Sequence, residues 1–403
     1  MERGTKMGLS TRAMRIEPSR TMAVTQRMRD MKREGKDVLA FSSGEPDFPT
    51  PDHIARAGKE AIDKGYTKYS PVAGIPELKE AICDHLKEHY ALPYKPGEIL
   101  VSNGAKQVLI EAMAALLDPG DEVIIPVPCW VSYPEQVKLA DGVPVLIERK
   151  MKDDFRLRPE QVAEKITPRT KMMILCNPDN PTGAVMREED LRGIAELAVR
   201  HPFYVLSDEI YSRLIYGENK HVSFGVFSEE VKRQTITVNG FSKAYAMTGW
   251  RLGYAAAPKE IIKAMSEIQG HYSSGANTIS QWAGLAAIRG PQDSVEKMRQ
   301  EFDRRRKTMA KRIQNMKGLR CNIPQGAFYV YPEVSGWFEK KFGGKEIRGS
   351  EDFCSALVEE AGIGLVPGVG FLQEGYVRIT YACSMEQILE GMDRMERFLG
   401  SVQ

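Results

Sequence analysis

The sequence predicts an α/β protein, with a mostly parallel central sheet in a large domain plus a smaller α+β domain. Three observations carry this. At 403 residues the chain exceeds the usual size of one domain, so two are expected. Apolar runs alternate with amphipathic stretches through its middle. From about Gly290 that alternation gives way to a long charged helical pattern. The expected division is an N-terminal segment, 1–48, packing with the small domain; a large domain, 49–290; and a small domain, 291–403.

Taken in order, Thr50-Pro51-Asp52 starts a helix with proline in its first turn. Pro76–Tyr90 is a second helix with a charged face. Ile99–Ser102 reads as a strand followed by a helix at Lys106–Leu117. Glu122–Val127 is followed by Tyr133–Leu139, and Lys171–Cys176 by Glu188–Val199. Tyr204–Ser207, Thr235–Val238 and Leu252–Ala256 complete the strand-like runs. Turn chemistry separates them at Asp118-Pro119-Gly120-Asp121 and Asn180-Pro181-Thr182-Gly183. Beyond Gly290 come a helix at Ser294–Met316, an apolar run at Ala327–Tyr331 and a helix near Glu351–Ala361. A strand at Tyr376–Tyr381 and a helix at Met385–Leu399 follow.

Composition excludes several classes. The net charge is +2, from 56 basic and 54 acidic residues, too balanced for a nucleic-acid or membrane partner. Met1–Arg15 is basic but lacks the apolar core of a secretory signal. No run is long enough to span a bilayer. The six cysteines are scattered, as expected of reduced thiols in a cytoplasmic protein. His85-Leu86-Lys87-Glu88-His89 fits an inverted zinc-protease pattern. Its charged helix and the lack of a downstream ligand motif favour a solvated face, so no metal is expected.

The most informative stretch is Asn239–Arg251. It places Lys243 just after an apolar run and Arg251 beyond a Thr-Gly turn. A lysine in a packed site can lose its proton and form a Schiff base with an aldehyde. An arginine can hold a phosphate by two parallel hydrogen bonds. The aldehyde that carries a phosphate is pyridoxal 5′-phosphate (PLP). PLP chemistry also needs a carboxylate to keep the ring nitrogen protonated. Asp208 sits at the end of the run Tyr204–Leu206, where open α/β sheets bind ligands. Ser102-Asn103-Gly104-Ala105-Lys106 follows a strand and opens a helix, which makes an anion site.

Together with Asn177-Pro178-Asp179-Asn180-Pro181-Thr182-Gly183, these motifs resemble class I aminotransferases, the aspartate aminotransferase family. The resemblance runs from about Leu9 to Phe398 and implies the PLP-dependent transferase fold, fold type I. It implies that Lys243 carries the cofactor and moves the substrate's proton, Asp208 holds the ring nitrogen, and Tyr211 and Asn180 meet the ring phenolate. Trp130 would stack on the ring. Gly104, Ala105, Lys106, Ser242 and Arg251 would surround the phosphate, joined by Tyr69 from a neighbouring subunit, so a homodimer with shared sites is implied. Arg378, Gly44, Asn180 and Trp130 would receive the amino acid. Lys106 and Thr21 match the aspartate/prephenate subgroup, in which they read a second carboxylate. Gly240 departs from the pattern, because the family often has a phosphate-binding serine there.

The expected function is ping-pong transfer of an amino group between an amino acid and a 2-oxo acid, aspartate and 2-oxoglutarate foremost. The alternatives are prephenate, aromatic or alanine transamination, or β-elimination, on the same fold. A PLP-fold regulator would need an added DNA-binding module, and no basic segment suggests one.

Overall fold

The computed structural model describes residues 8–18, 20–342 and 344–401. Its centre is a seven-stranded sheet. The strands are β1 (Ile99–Ser102), β2 (Glu122–Val127), β3 (Val143–Glu148), β4 (Thr170–Cys176), β5 (Tyr204–Asp208), β6 (Thr235–Gly240) and β7 (Gly253–Ala256). Their order is β1-β7-β6-β5-β4-β2-β3. Every neighbouring pair is parallel except those of β7, which runs against β1 and β6.

Strands β1, β2, β6 and β7 are buried along their whole length, which is why they read as unbroken apolar runs. Side chains alternate between two covered faces. Ile125, Ile174, Leu206 and Val238 pack with Val108, Leu109 and Met113 of the helix Ala105–Leu116. Ile124, Met173, Leu175 and Val205 pack with Leu191 and Ile194 of the helix Glu188–Arg200. Strand β3 is absent from the sequence reading. It is an edge strand with one neighbour, Val143 and Leu146 exposed and Pro144 inside it. An edge tolerates that proline, and half-exposure erases the apolar signal.

A second, smaller α+β unit follows. The helix Asp293–Asn315 leads into a three-stranded antiparallel sheet of β8 (Tyr329–Val330), β9 (Val366–Pro367) and β10 (Val377–Thr380), in the order β9-β10-β8. The helices Ser350–Ala361 and Met385–Ser401 cover it. Phe302, Met309, Phe353, Leu357, Ile379 and Met392 share its core. The N-terminal segment joins this unit, because Leu39–Ala40 pairs in parallel with Ile363–Gly364. Among the described residues no helix is long and apolar enough to cross a membrane.

Candidate active site

Strands β1, β2, β4, β5 and β6 end at one edge of the sheet, and a cavity of about 310 Å³ lies there. Asp208 closes β5 and is 4% exposed. Its Oδ2 accepts from the Tyr133 hydroxyl at 2.7 Å and its Oδ1 from the Ile210 N–H at 3.2 Å. Burial lifts its carboxyl to about 6; those two hydrogen bonds oppose the rise, Glu209 adds to it and Lys243 opposes it. Near neutral pH it is therefore a buried anion suited to a cationic partner.

Lys243 stands just past β6, with its Nζ donating to Gly44 O. Burial lowers its pKa to about 8, opposed by Glu45 and aided by Arg378 and Arg251. An amine at that value has a substantial neutral, nucleophilic fraction near neutral pH.

Arg378 lies on β10 and is 1% exposed. Its Nη1 donates to Asn180 Oδ1 and its Nη2 to Ser42 O, both at 2.9 Å. Its Nε has no partner, and the rings of Tyr329 and Phe371 lie 4.3 and 5.0 Å from the guanidinium. Both hydrogen-bond partners are neutral. A buried guanidinium in that state is costly, so the pocket is suited to receive an anion. Because Asn180 gives its carbonyl to Arg378, its amide N–H groups are the end left to donate elsewhere.

The turn after β1 also has donors with no side-chain cap. Gly104 has φ +89° and offers no cap side chain, so the first-turn N–H groups of Ala105–Leu116 lack a side-chain acceptor. Arg251 is pinned beside it by bonds from Nη1 to Thr248 O (2.9 Å) and Nη2 to Asn103 O (3.3 Å). A Cβ on Gly104 would meet Arg251 Nη2 at 2.8 Å. Gly240 and Gly253 pair across β6 and β7. A Cβ on Gly240 would lie 3.0 Å from Gly253 Cα, and one on Gly253 would lie 2.4 Å from Ala105 N. A side chain at 240 would be crowded by Gly253 Cα and Leu252 O, which would have to give by a few tenths of an ångström.

In the first turn of the same helix, Lys106 Nζ lies 4.7 Å from the Trp130 ring centroid. Burial, then Arg251, lowers the Lys106 pKa. Tyr211 and Tyr329 share a hydrogen bond of 2.9 Å between their hydroxyls.

Of the residues singled out from sequence, Gly44, Ala105, Lys106, Trp130, Asn180, Asp208, Tyr211, Ser242, Lys243, Arg251 and Arg378 line this cavity. Gly104 adjoins it through Arg251. Tyr69 does not reach it; it is 92% exposed, beside the loop Ser273–Asn277. Thr21 is the second residue of the helix Arg20–Arg33, and its side chain lies outside the described residues. Sequence reasoning missed Tyr133, Cys176 and Tyr329, which also line the cavity. Tyr133 was legible as the residue one helical turn past Trp130, and Cys176 as the last residue of β4, level with Asp208. Tyr329 carries no local signal. His85 and His89 face each other at 4.6 Å, and burial holds His85 down to about 3. No group of three or more His, Cys, Asp or Glu able to hold a metal occurs among the described residues.

The model of the family "aminotransferase class I and II" matches residues 36–395. The chain belongs to that family. This aminotransferase is 44% identical over 393 residues to the aspartate aminotransferase of Geobacillus stearothermophilus, covering 98% of this chain and 99% of that one. It is 44% identical over 392 residues to the aspartate/prephenate aminotransferase of Cereibacter sphaeroides, covering 97% and 98%. Its fold matches the aspartate aminotransferase of Rhizobium meliloti with a TM-score of 0.95 at 40% identity, covering 99% of this chain and all of that one. The Thermus thermophilus aspartate aminotransferase solved with maleate gives 0.92 at 42%, covering 98% of this chain and 100% of that one. The fold class and the family expected from the sequence are both borne out.

Proposed function

We propose that this aminotransferase moves an amino group between aspartate and 2-oxoglutarate with pyridoxal 5′-phosphate as cofactor. One observation carries the reading: a single cavity holds an amine of lowered pKa, a buried carboxylate and a buried guanidinium with only neutral partners. The residues fit the cofactor, because the uncapped turn at Gly104 and the adjacent Arg251 suit a phosphate. PLP bound there supplies the aldehyde that takes up the amino group and the ring that accepts the electrons of the Cα–H bond.

Lys243 would hold the cofactor and, as a free amine, carry the proton away from the substrate Cα. Asp208 would keep the proton on the ring nitrogen. Asn180 and Tyr211 would donate to the ring oxygen, and Trp130 would pack on the ring. Ala105, Lys106 and Ser242 would join Gly104 and Arg251 at the phosphate. Tyr69, fully outward on its loop, would reach the phosphate of the neighbouring subunit. Arg378 would fork onto the α-carboxylate beside the Gly44 N–H, with Lys106 and Thr21 reading the distal carboxylate. Prephenate is the second reading, since it too offers a distal carboxylate and relatives are named for it.

The same proposal includes the division at 48/49 and 290/291, a homodimer with shared sites and a cytoplasmic location; all six cysteines are unpaired. The test is direct. Purified protein with PLP should be yellow and gain a borohydride-stable link. Lys243→Ala should lose the link and lower kcat by about 10²- to 10⁴-fold or more. A colourless protein, or a link that survives in the variant, overturns the reading.

A further inference from the structure

Arg149 follows β3 and does not line the cavity, yet it is buried and bonds to the segments that do. Its Nη2 donates to Pro128 O at 2.5 Å and to Asp179 Oδ1 at 3.1 Å, and its Nη1 to Phe155 O at 3.4 Å. Its backbone N–H donates to Val127 O, and its carbonyl accepts from Gln373 Nε2, each at 2.8 Å. Asp179 is buried as well, and its other oxygen accepts from the Thr182 hydroxyl at 2.6 Å.

These partners are adjacent to cavity residues. Trp130 lies two residues past Pro128, and Asn180 is next to Asp179. Gln373 lies two residues past Phe371, whose ring rests against Arg378. One guanidinium plane therefore spans the Trp130 turn and the Asn180 loop, and the Arg149 backbone carbonyl accepts from Gln373 in the segment beside Arg378. A buried ion pair is a poor stabiliser, and apolar residues of similar volume often serve as well. What apolar residues cannot do is hold two backbones at a set spacing with directional N–H groups.

We propose that Arg149, paired with Asp179, is a positioning residue that sets Trp130, Asn180 and Arg378 relative to one another. The proposal rests on the reading of the cavity as a cofactor and amino-acid site. Arg149→Met alone strands a buried carboxylate, so the informative variant is Arg149→Met with Asp179→Asn. Asparagine still accepts from Thr182 while both charges go.

The double variant should keep a thermal midpoint close to wild type while kcat/KM for aspartate falls by about 10- to 100-fold. The pH midpoint of the bound cofactor's absorbance change should also move, by about half a unit or more, as the Asn180 donor shifts. A purely structural role would move stability and leave both readouts alone. Wild-type kinetic constants and absorbance midpoint in the folded double variant overturn the proposal. If that variant does not fold, Arg149→Lys decides: it keeps the charge but not the fork, and wild-type behaviour in it is equally fatal. Failure of the proposed function is distinguishable, since wild-type protein would then show no cofactor absorbance, and the positioning role would fall with it.

Discussion

The Tyr133 hydroxyl donates to Asp208 Oδ2 over 2.7 Å, and both side chains are buried. This bond favours the ionised carboxylate and opposes a burial that, even with the bond in place, lifts it to about 6. Tyr133→Phe should raise the Asp208 pKa further, by about one unit for a bond worth ~1.5 kcal/mol. Asp208 is ionised above its pKa, so the acid limb of the kcat/KM profile should move to higher pH. An unmoved limb would rule this out. The sign for folding is separate. Asp208 lies above its unfolded value, so the folded chain holds the extra proton between about pH 4 and 6. Stability of the cofactor-free protein from this group falls as pH rises through that window.

Arg378 binds Asn180 and Ser42 through Nη1 and Nη2 and leaves Nε unpartnered. Arg378→Lys keeps a charge but loses the planar fork. KM should rise about 10²-fold for every amino donor, aspartate and alanine alike. The lysine-linked cofactor should remain. A donor-selective effect would assign the residue to the distal end of the substrate instead.

Lys106→Ala should raise KM for aspartate by about tenfold or more and leave alanine little changed. Burial and Arg251 both lower the Lys106 pKa, so its charge is lost at lower pH than that of an exposed lysine. The aspartate-over-alanine preference of wild type should then decline with rising pH, and at lower pH than an exposed lysine would set. Steady-state kinetics across pH with both donors measure it; a flat ratio speaks against Lys106 as the reader.

Gly253→Ala places a methyl 2.4 Å from Ala105 N and 2.7 Å from Gly104 C, both backbone atoms that cannot swing aside. The turn after β1 must shift. We expect a loss of about 1–3 kcal/mol in stability and weaker PLP binding, with little change at Arg378. Thermal melts and cofactor titration test this, and unchanged cofactor affinity would show that the turn does not hold the phosphate.

Local features were legible in the sequence for a physical reason. Lys243 and Asn180 each follow a largely buried strand and Asp208 ends one, and such strands stand out as apolar runs because both faces are covered. The strand ends therefore locate the residues without any knowledge of their neighbours. Strand β3 escaped because Val143 and Leu146 are exposed, which erases its apolar run; the opposite edge, β1, is covered and stays legible.

The sequence by itself determined the alternation of strands and helices and the family, and it singled out Lys243, since each is written in contiguous residues. Tertiary structure alone decided the pairings. Tyr133 meets Asp208 from 75 positions away, Tyr329 meets Tyr211 from 118, and Arg378 meets Asn180 from 198. It also showed why position 253 is glycine, through its packing on Ala105. Charge states belong to the same category. A lysine near 8 and an aspartate near 6 are products of burial and of neighbours distant in the chain, which only folding brings together.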